Sequence, residues 1–123
     1  KTTKFQYCRD CYPVMKQEYE RERRIRNVEK DPHFDKRRDL KKHYGISLED
    51  YDRLFLGQGK KCAICKSTRA NGKGWQVDHD HETGRIRGIL CHFCNLGIGH
   101  FKDDVVSINK AISYLSFWEE IHG

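Results

Sequence analysis

The stretch QVDHDHETGRIRGILCHFCN, residues 76–95, gathers three acidic residues, three histidines, two cysteines and an asparagine. A carboxylate and an amide oxygen, such as Asp78 and Asn95 carry, are hard ligands suited to Mg²⁺ or a similar cation. Such a cation keeps several waters and takes remaining ligands from phosphate. A neighbouring neutral histidine can remove a proton from a water near that phosphate. A base, an in-line nucleophile and a cation on the developing charge of the leaving oxygen are the parts of metal-assisted phosphodiester hydrolysis.

The cysteines point to a second metal. Four of the six fall in the pairs Cys62/Cys65 and Cys91/Cys94, each with two intervening residues. A disulfide framework is one reading of six cysteines, but this spacing favours metal: two thiolates in a tight turn face one tetrahedral zinc, and a second turn closes the shell. A zinc with four thiolates has no position left for water, so it is structural, and any chemistry needs other ligands. Cys8/Cys11 has the same spacing and no evident mate. A second zinc there would need His33, His43, upstream residues or another chain, and two free thiols are the plain alternative.

Asp78, His79 and His81 end a predicted strand. Successive strand side chains point to opposite faces, so Asp78 and His79 converge only if the backbone bends at DHDH. Asn95 follows the last zinc-ligand cysteine, so the zinc fixes its direction. The blander alternative makes Asp78, Asp80 and Glu82 a polar loop and the histidines surface residues. In a further alternative, His81 or His92 replaces a cysteine as zinc ligand.

Three kinds of element surround this stretch. Residues 12–44 are dominated by charge, with Pro32 breaking two helices and Tyr12, Met15 and Tyr19 as a thin apolar stripe. This arm is either a solvated face or a set of cations for phosphate. GISLEDYDRLFLGQGKKC predicts a short helix with Ser47 as N-cap and Gly57 as terminator, its aromatics packing against the zinc module. Residues 73–90 predict a hairpin or looped ribbon around Glu-Thr-Gly. After Asn95 a short segment with Gly97 and Gly99 leads to a final helix capped by Asp103 or Asp104. There Val105, Ile108, Ile112, Leu115 and Trp118 form a stripe expected to face the core.

The 123 residues allow one ordinary domain, or a compact domain with an arm; we expect a basic helical arm over 1–44 and a zinc-stapled domain over 45–123. With 37% hydrophobic and 34% charged residues, the core is small and bound metal is its expected supplement. The net charge of +6 suits nucleic acid. No apolar run approaches the roughly 20 residues of a membrane span, and KTTKFQYC lacks a signal-peptide core, so no membrane partner is expected. The chain begins at Lys1 and not Met, which leaves room for upstream residues.

Together, CAIC, VDHDHETGRIRGILCHFCN and YGISLEDYDRLF resemble the recombination endonuclease VII family, a branch of the HNH or ββα-metal (His-Me finger) nucleases, over about residues 44–118. The ordered string is far more specific than any of its parts. The resemblance implies an α+β fold in which a hairpin and a following helix carry the active site across their junction. It implies that Asp78 and Asn95 bind a catalytic Mg²⁺ or Mn²⁺, that His79 is the general base, and that His81 assists near the scissile phosphate. Cys62, Cys65, Cys91 and Cys94 would hold structural Zn²⁺. The implied partner is duplex or branched DNA and the implied source phage or bacterial, inside the cell; a homodimer or larger assembly stays open. The recombination enzyme has an acidic residue three positions after the asparagine where this chain has Ile98, and it continues into a long dimerising region. The rival expectation is a non-catalytic zinc-finger DNA-binding or adaptor protein on the same scaffold.

Overall fold

The structure, a computed structural model, describes the backbone over residues 11–123 and side chains from residue 13 onward. Cys8 and the side chain of Cys11 therefore lie outside what is described. It is a mixed α+β fold in element order α1 (Cys11–Lys30), α2 (Phe34–Tyr44), α3 (Leu48–Gly57), β1 (Gln76–His79), β2 (Ile86–Leu90), α4 (His92–His100) and α5 (Val105–His122). The described residues divide into two compact units, one ending at residue 48 and the other spanning 49–123. No helix among the described residues is long and apolar enough to cross a membrane.

In the first unit, α1 stops at Lys30 and α2 resumes at Phe34. Pro32 in the intervening turn lacks the N–H that a continuous helix would need. The Asp31 carboxylate accepts from the His33 amide at 3.0 Å, and Arg24 donates to Asp35 at 2.9 Å, tying the two helices together. Met15 and Tyr19 are exposed, so the thin apolar stripe of α1 buries little. Gly45 ends α2 in the left-handed conformation, its N–H returning to the Lys41 carbonyl.

The second unit is organised by the hairpin. β1 and β2 pair antiparallel, Gln76 opposite Leu90, Val77 opposite Ile89 and Asp78 opposite Gly88; the register then slips, and His79 faces Ile86. Asp80 makes the intervening turn. Its carboxylate accepts from the amides of Glu82 and Thr83, both at 2.8 Å, and Gly84 supplies the positive φ of 72° that brings the chain back.

A two-stranded hairpin is marginal by itself. Support comes from a cluster of buried Cys62, Leu90 and Cys91, against which Ala63, Trp75, Cys94 and Ile98 pack. As expected, α3 reaches this cluster through its aromatics: Phe55 packs against Trp75 with ring centroids 4.8 Å apart and the planes tilted by 60°. Ile89, the strand neighbour of Leu90, is fully buried. Gln58, just beyond α3, donates to the Ile89 carbonyl at 2.8 Å and accepts from its amide at 2.9 Å, occupying the outer edge of β2 as a third strand would.

The segment after Asn95 belongs to the helix that the resemblance implies after the hairpin: α4 runs through Gly97 and Gly99 despite their cost, begun by the turn that also places Cys91 and Cys94. One expectation changes. The stripe on α5 does not face a core. Val105, Ile112, Leu115 and Trp118 are 55–68% exposed and no residue of α5 is buried. Periodicity identified the helix correctly, but α5 carries apolar residues on its other faces too, including Val106, Tyr114, Phe117 and Ile121. A single stripe therefore did not define its packing direction. Asp104 is the cap, accepting from the Ser107 amide at 2.9 Å, which leaves Asp103 for another role.

Candidate metal centre and active site

Two loops bring the four cysteines together. In the first, the Cys62 amide donates to Ser67 and the Lys66 amide to the Cys62 carbonyl, with Lys66 at a φ of +61° closing the turn. In the second, Cys91 caps α4 and its carbonyl accepts from Asn95 at 3.1 Å. The ligand atoms of Cys62, Cys65, Cys91 and Cys94 all lie within 4.8 Å of one another. Cys65 Sγ and Cys91 Sγ are 3.8 Å apart. Tetrahedral Zn–S bonds of about 2.3 Å put sulfurs about 3.8 Å apart, so the quartet fits zinc in both chemistry and spacing.

The four thiols have different surroundings. Burial pushes the Cys62 thiol up, yet the backbone N–H groups of Cys91, Cys65 and Ile64, with the Cys65 thiol, more than offset this and bring it down to about 6. Burial pushes the Cys94 thiol well above the ordinary thiol range, and the neighbouring Cys91, Cys65 and Cys62 sulfurs add to it. A bound dication would stabilise all four thiolate charges at once. His81 and His92 are not needed as substitutes; the His92 ring lies against Gly72.

Beside this staple lies the polar end of the hairpin. Asp78 is only 9% exposed. The register slip between Asp78 and His79 leaves Arg87 as the extra residue on β2. In an uninterrupted ladder Arg87 would pair with His79 and point away from Asp78; a bulge re-aims it. Its Nε donates to Asp78 Oδ2 at 2.7 Å and its Nη2 to Asp78 Oδ1 at 2.9 Å, a two-pronged pair. The same Nη2 donates to Asp103 Oδ2 at 3.0 Å.

At the Asp78/His79 step the ladder slips in register, with the extra residue on β2. His79 and His81 stand together, ring centroids 4.8 Å apart. His81 Nε2 is 3.8 Å from Asp103 Oδ2, too long for a hydrogen bond. Asn95 lies in the first turns of α4, which packs against β1, the strand of Asp78 and His79. Among the described residues, the cysteines are the group of three or more histidine, cysteine or carboxylate side chains that converge as metal ligands do; Asp78, His79 and His81 form no second such group.

Sequence reasoning missed Arg87 and Asp103. Arg87 was visible only as one cation of a basic strand, because no periodic pattern foretells a bulge. Asp103 was an alternative cap for α5. It reaches the hairpin because Lys102 and Asp103 both take positive φ, 55° and 56°, in the turn after α4. Ile98, where the recombination enzyme carries its acid, packs against the Cys62, Leu90 and Cys91 cluster instead.

No solved structure matches the chain significantly. Among curated proteins, the chain is 42% identical over 73 residues to the Gene 59 protein of Mycobacterium phage D29 and 40% identical over the same length to that of Mycobacterium phage L5. Each match covers 58% of this chain and 44% of the relative, so the chain spans less than half the length of the curated relatives it matches. Residues 37–117 match the family model of recombination endonuclease VII, a span that takes in α3, both cysteine pairs, the hairpin, α4 and most of α5. The chain belongs to the recombination endonuclease VII family.

Proposed function

We propose that the chain is a metal-dependent DNA endonuclease of the HNH or His-Me finger type, encoded by a phage or bacterium and acting inside the cell. The observation that carries this reading is the bulge at Asp78/His79, on a hairpin tied by a cysteine quartet to α4, the helix of Asn95. In this reading Asp78 and Asn95 hold Mg²⁺ or Mn²⁺, and a cation there supplies positive charge to the leaving oxygen. His79 takes the proton from the attacking water, and His81, beside it, steadies the phosphate. The four cysteines hold structural zinc and keep hairpin and helix in register.

Residues 1–44 serve as a basic arm along phosphates and residues 45–123 as the nuclease domain. Duplex or branched DNA is the partner, with the +6 charge in support. The exposed apolar residues of α5 support a homodimer or larger assembly, since a helix apolar on several faces is ordinarily covered. Sedimentation at rising concentration should show self-association, and a monomer throughout would remove it.

One observation favours a second reading. Both Asp78 oxygens are occupied by Arg87, as they would be if the carboxylate only braced the hairpin of a non-catalytic DNA-binding protein. Incubation of the zinc-loaded chain with supercoiled plasmid, with and without Mg²⁺ or Mn²⁺, separates the two. Nicked or linear product supports hydrolysis, and DNA binding without product supports the adaptor.

A further inference from the structure

We propose that Arg87 is a built-in counterion of the Asp78/Asp103 carboxylate pair and is displaced when a divalent cation binds. Its guanidinium then becomes available to a phosphate diester. The inference rests on the endonuclease reading above and deepens it: the cation site is closed by the protein's own positive charge until the cation takes its place.

Two independent irregularities of the backbone converge on this guanidinium. The bulge turns Arg87 to the face of Asp78. Consecutive positive φ values at Lys102 and Asp103 turn the second carboxylate toward it. Left-handed backbone is costly for lysine and tolerated better by aspartate, so the turn is held against its preference. The outcome is two carboxylates sharing one guanidinium through bonds of 2.7, 2.9 and 3.0 Å.

This arrangement has the electrostatics of a cation site with a resident monovalent cation. Two carboxylates outnumber the single positive charge between them, and Asp78 is nearly buried, so removing Arg87 without replacement would leave facing negative charges poorly solvated. A divalent cation would neutralise both and offers hard-oxygen ligation that a guanidinium cannot. Arg87 is itself 38% exposed, enough for its long side chain to swing outward without dismantling the core. A planar guanidinium released at that rim presents the fork that matches phosphate oxygens. Cation binding and the appearance of a phosphate ligand are then one exchange.

The exchange is testable without DNA. Mn²⁺ affinity is measured by calorimetry on the full zinc-loaded chain for wild type, R87K, R87Q and D78N, with zinc stoichiometry and circular dichroism as folding controls. Affinity should rise from wild type through R87K to R87Q, the last by roughly tenfold or more, since a two-pronged charge-assisted pair no longer competes. In the unmutated chain, the Nε–Hε resonance of Arg87, assigned by its absence in R87K, should shift during a Mg²⁺ titration with the midpoint of cation binding. Equal or weaker Mn²⁺ binding by R87Q, or an Arg87 resonance that stays fixed as the cation binds, overturns the inference. If D78N abolishes Mn²⁺ binding while R87Q leaves it unchanged, the counterion role falls and the cation site stands. If wild type and R87Q both fail to bind Mn²⁺, both fall together.

Discussion

Within the acidic run DHDHE, neighbouring carboxylates of the same composition do different work because the backbone treats them differently. Asp80 accepts from two amides of its own turn, and those N–H groups of Thr83 and Glu82 hold its carboxyl below the usual carboxylate range. Asp78, two residues earlier, is aimed at an arginine from the opposite strand. A folded-state value below the unfolded one means the turn's contribution is complete above the unfolded carboxylate value and is lost as pH falls through the lowered one. We therefore expect amide exchange at Glu82 and Thr83 to be slow near neutrality and to gain an acid-induced opening only below about pH 4. Protection that declines already between pH 7 and 5 would show that another group controls the loop.

The elements are held by fixed points more than by area. Gln58 ties the edge of β2 to the end of α3, Phe55 and Trp75 join α3 to the cysteine cluster, and the quartet joins both loops. Cys91→Ser should lose the zinc and with it the ordered hairpin and α4, because the short ladder cannot supply enough core alone. Native mass spectrometry with circular dichroism reads this, and a metal-free Cys91→Ser chain that stays fully folded contradicts it. The cysteine loops were legible in the sequence because a ligand spacing is a local property, and so were the α1/α2 break at Pro32 and the Glu-Thr-Gly turn. The bulge, the partners of Arg87 and the exposure of α5 were not. Each depends on which residues meet across the fold, and the apolar spacing of α5 is the same whether its stripe is buried or bare. The bend expected at DHDH came from a chemical need; what the structure places at that step is a slip in register, with one extra residue on the facing strand.

At the scale of the molecule, the chain pairs a charge-rich helical unit with a small one that carries the cysteine quartet. If the arm lies along phosphates, truncating residues before 45 should weaken DNA binding across all sequences and flatten the slope of log affinity against log salt, by about one for each phosphate no longer neutralised. An unchanged slope would make the arm a solvated face only. The central claim concerns the second unit: that Asp78, His79 and Asn95 form a hydrolytic site and are not simply bracing for a DNA-binding scaffold. The most direct measurement compares Mg²⁺-dependent cleavage of supercoiled plasmid with DNA affinity for wild type, Asp78→Ala, His79→Ala and Asn95→Ala, all zinc-loaded. The account predicts retained zinc and DNA affinity in His79→Ala with cleavage reduced roughly 100-fold or more, and loss of cation-dependent cleavage in the other two. Cutting by all three variants at the wild-type rate would contradict it.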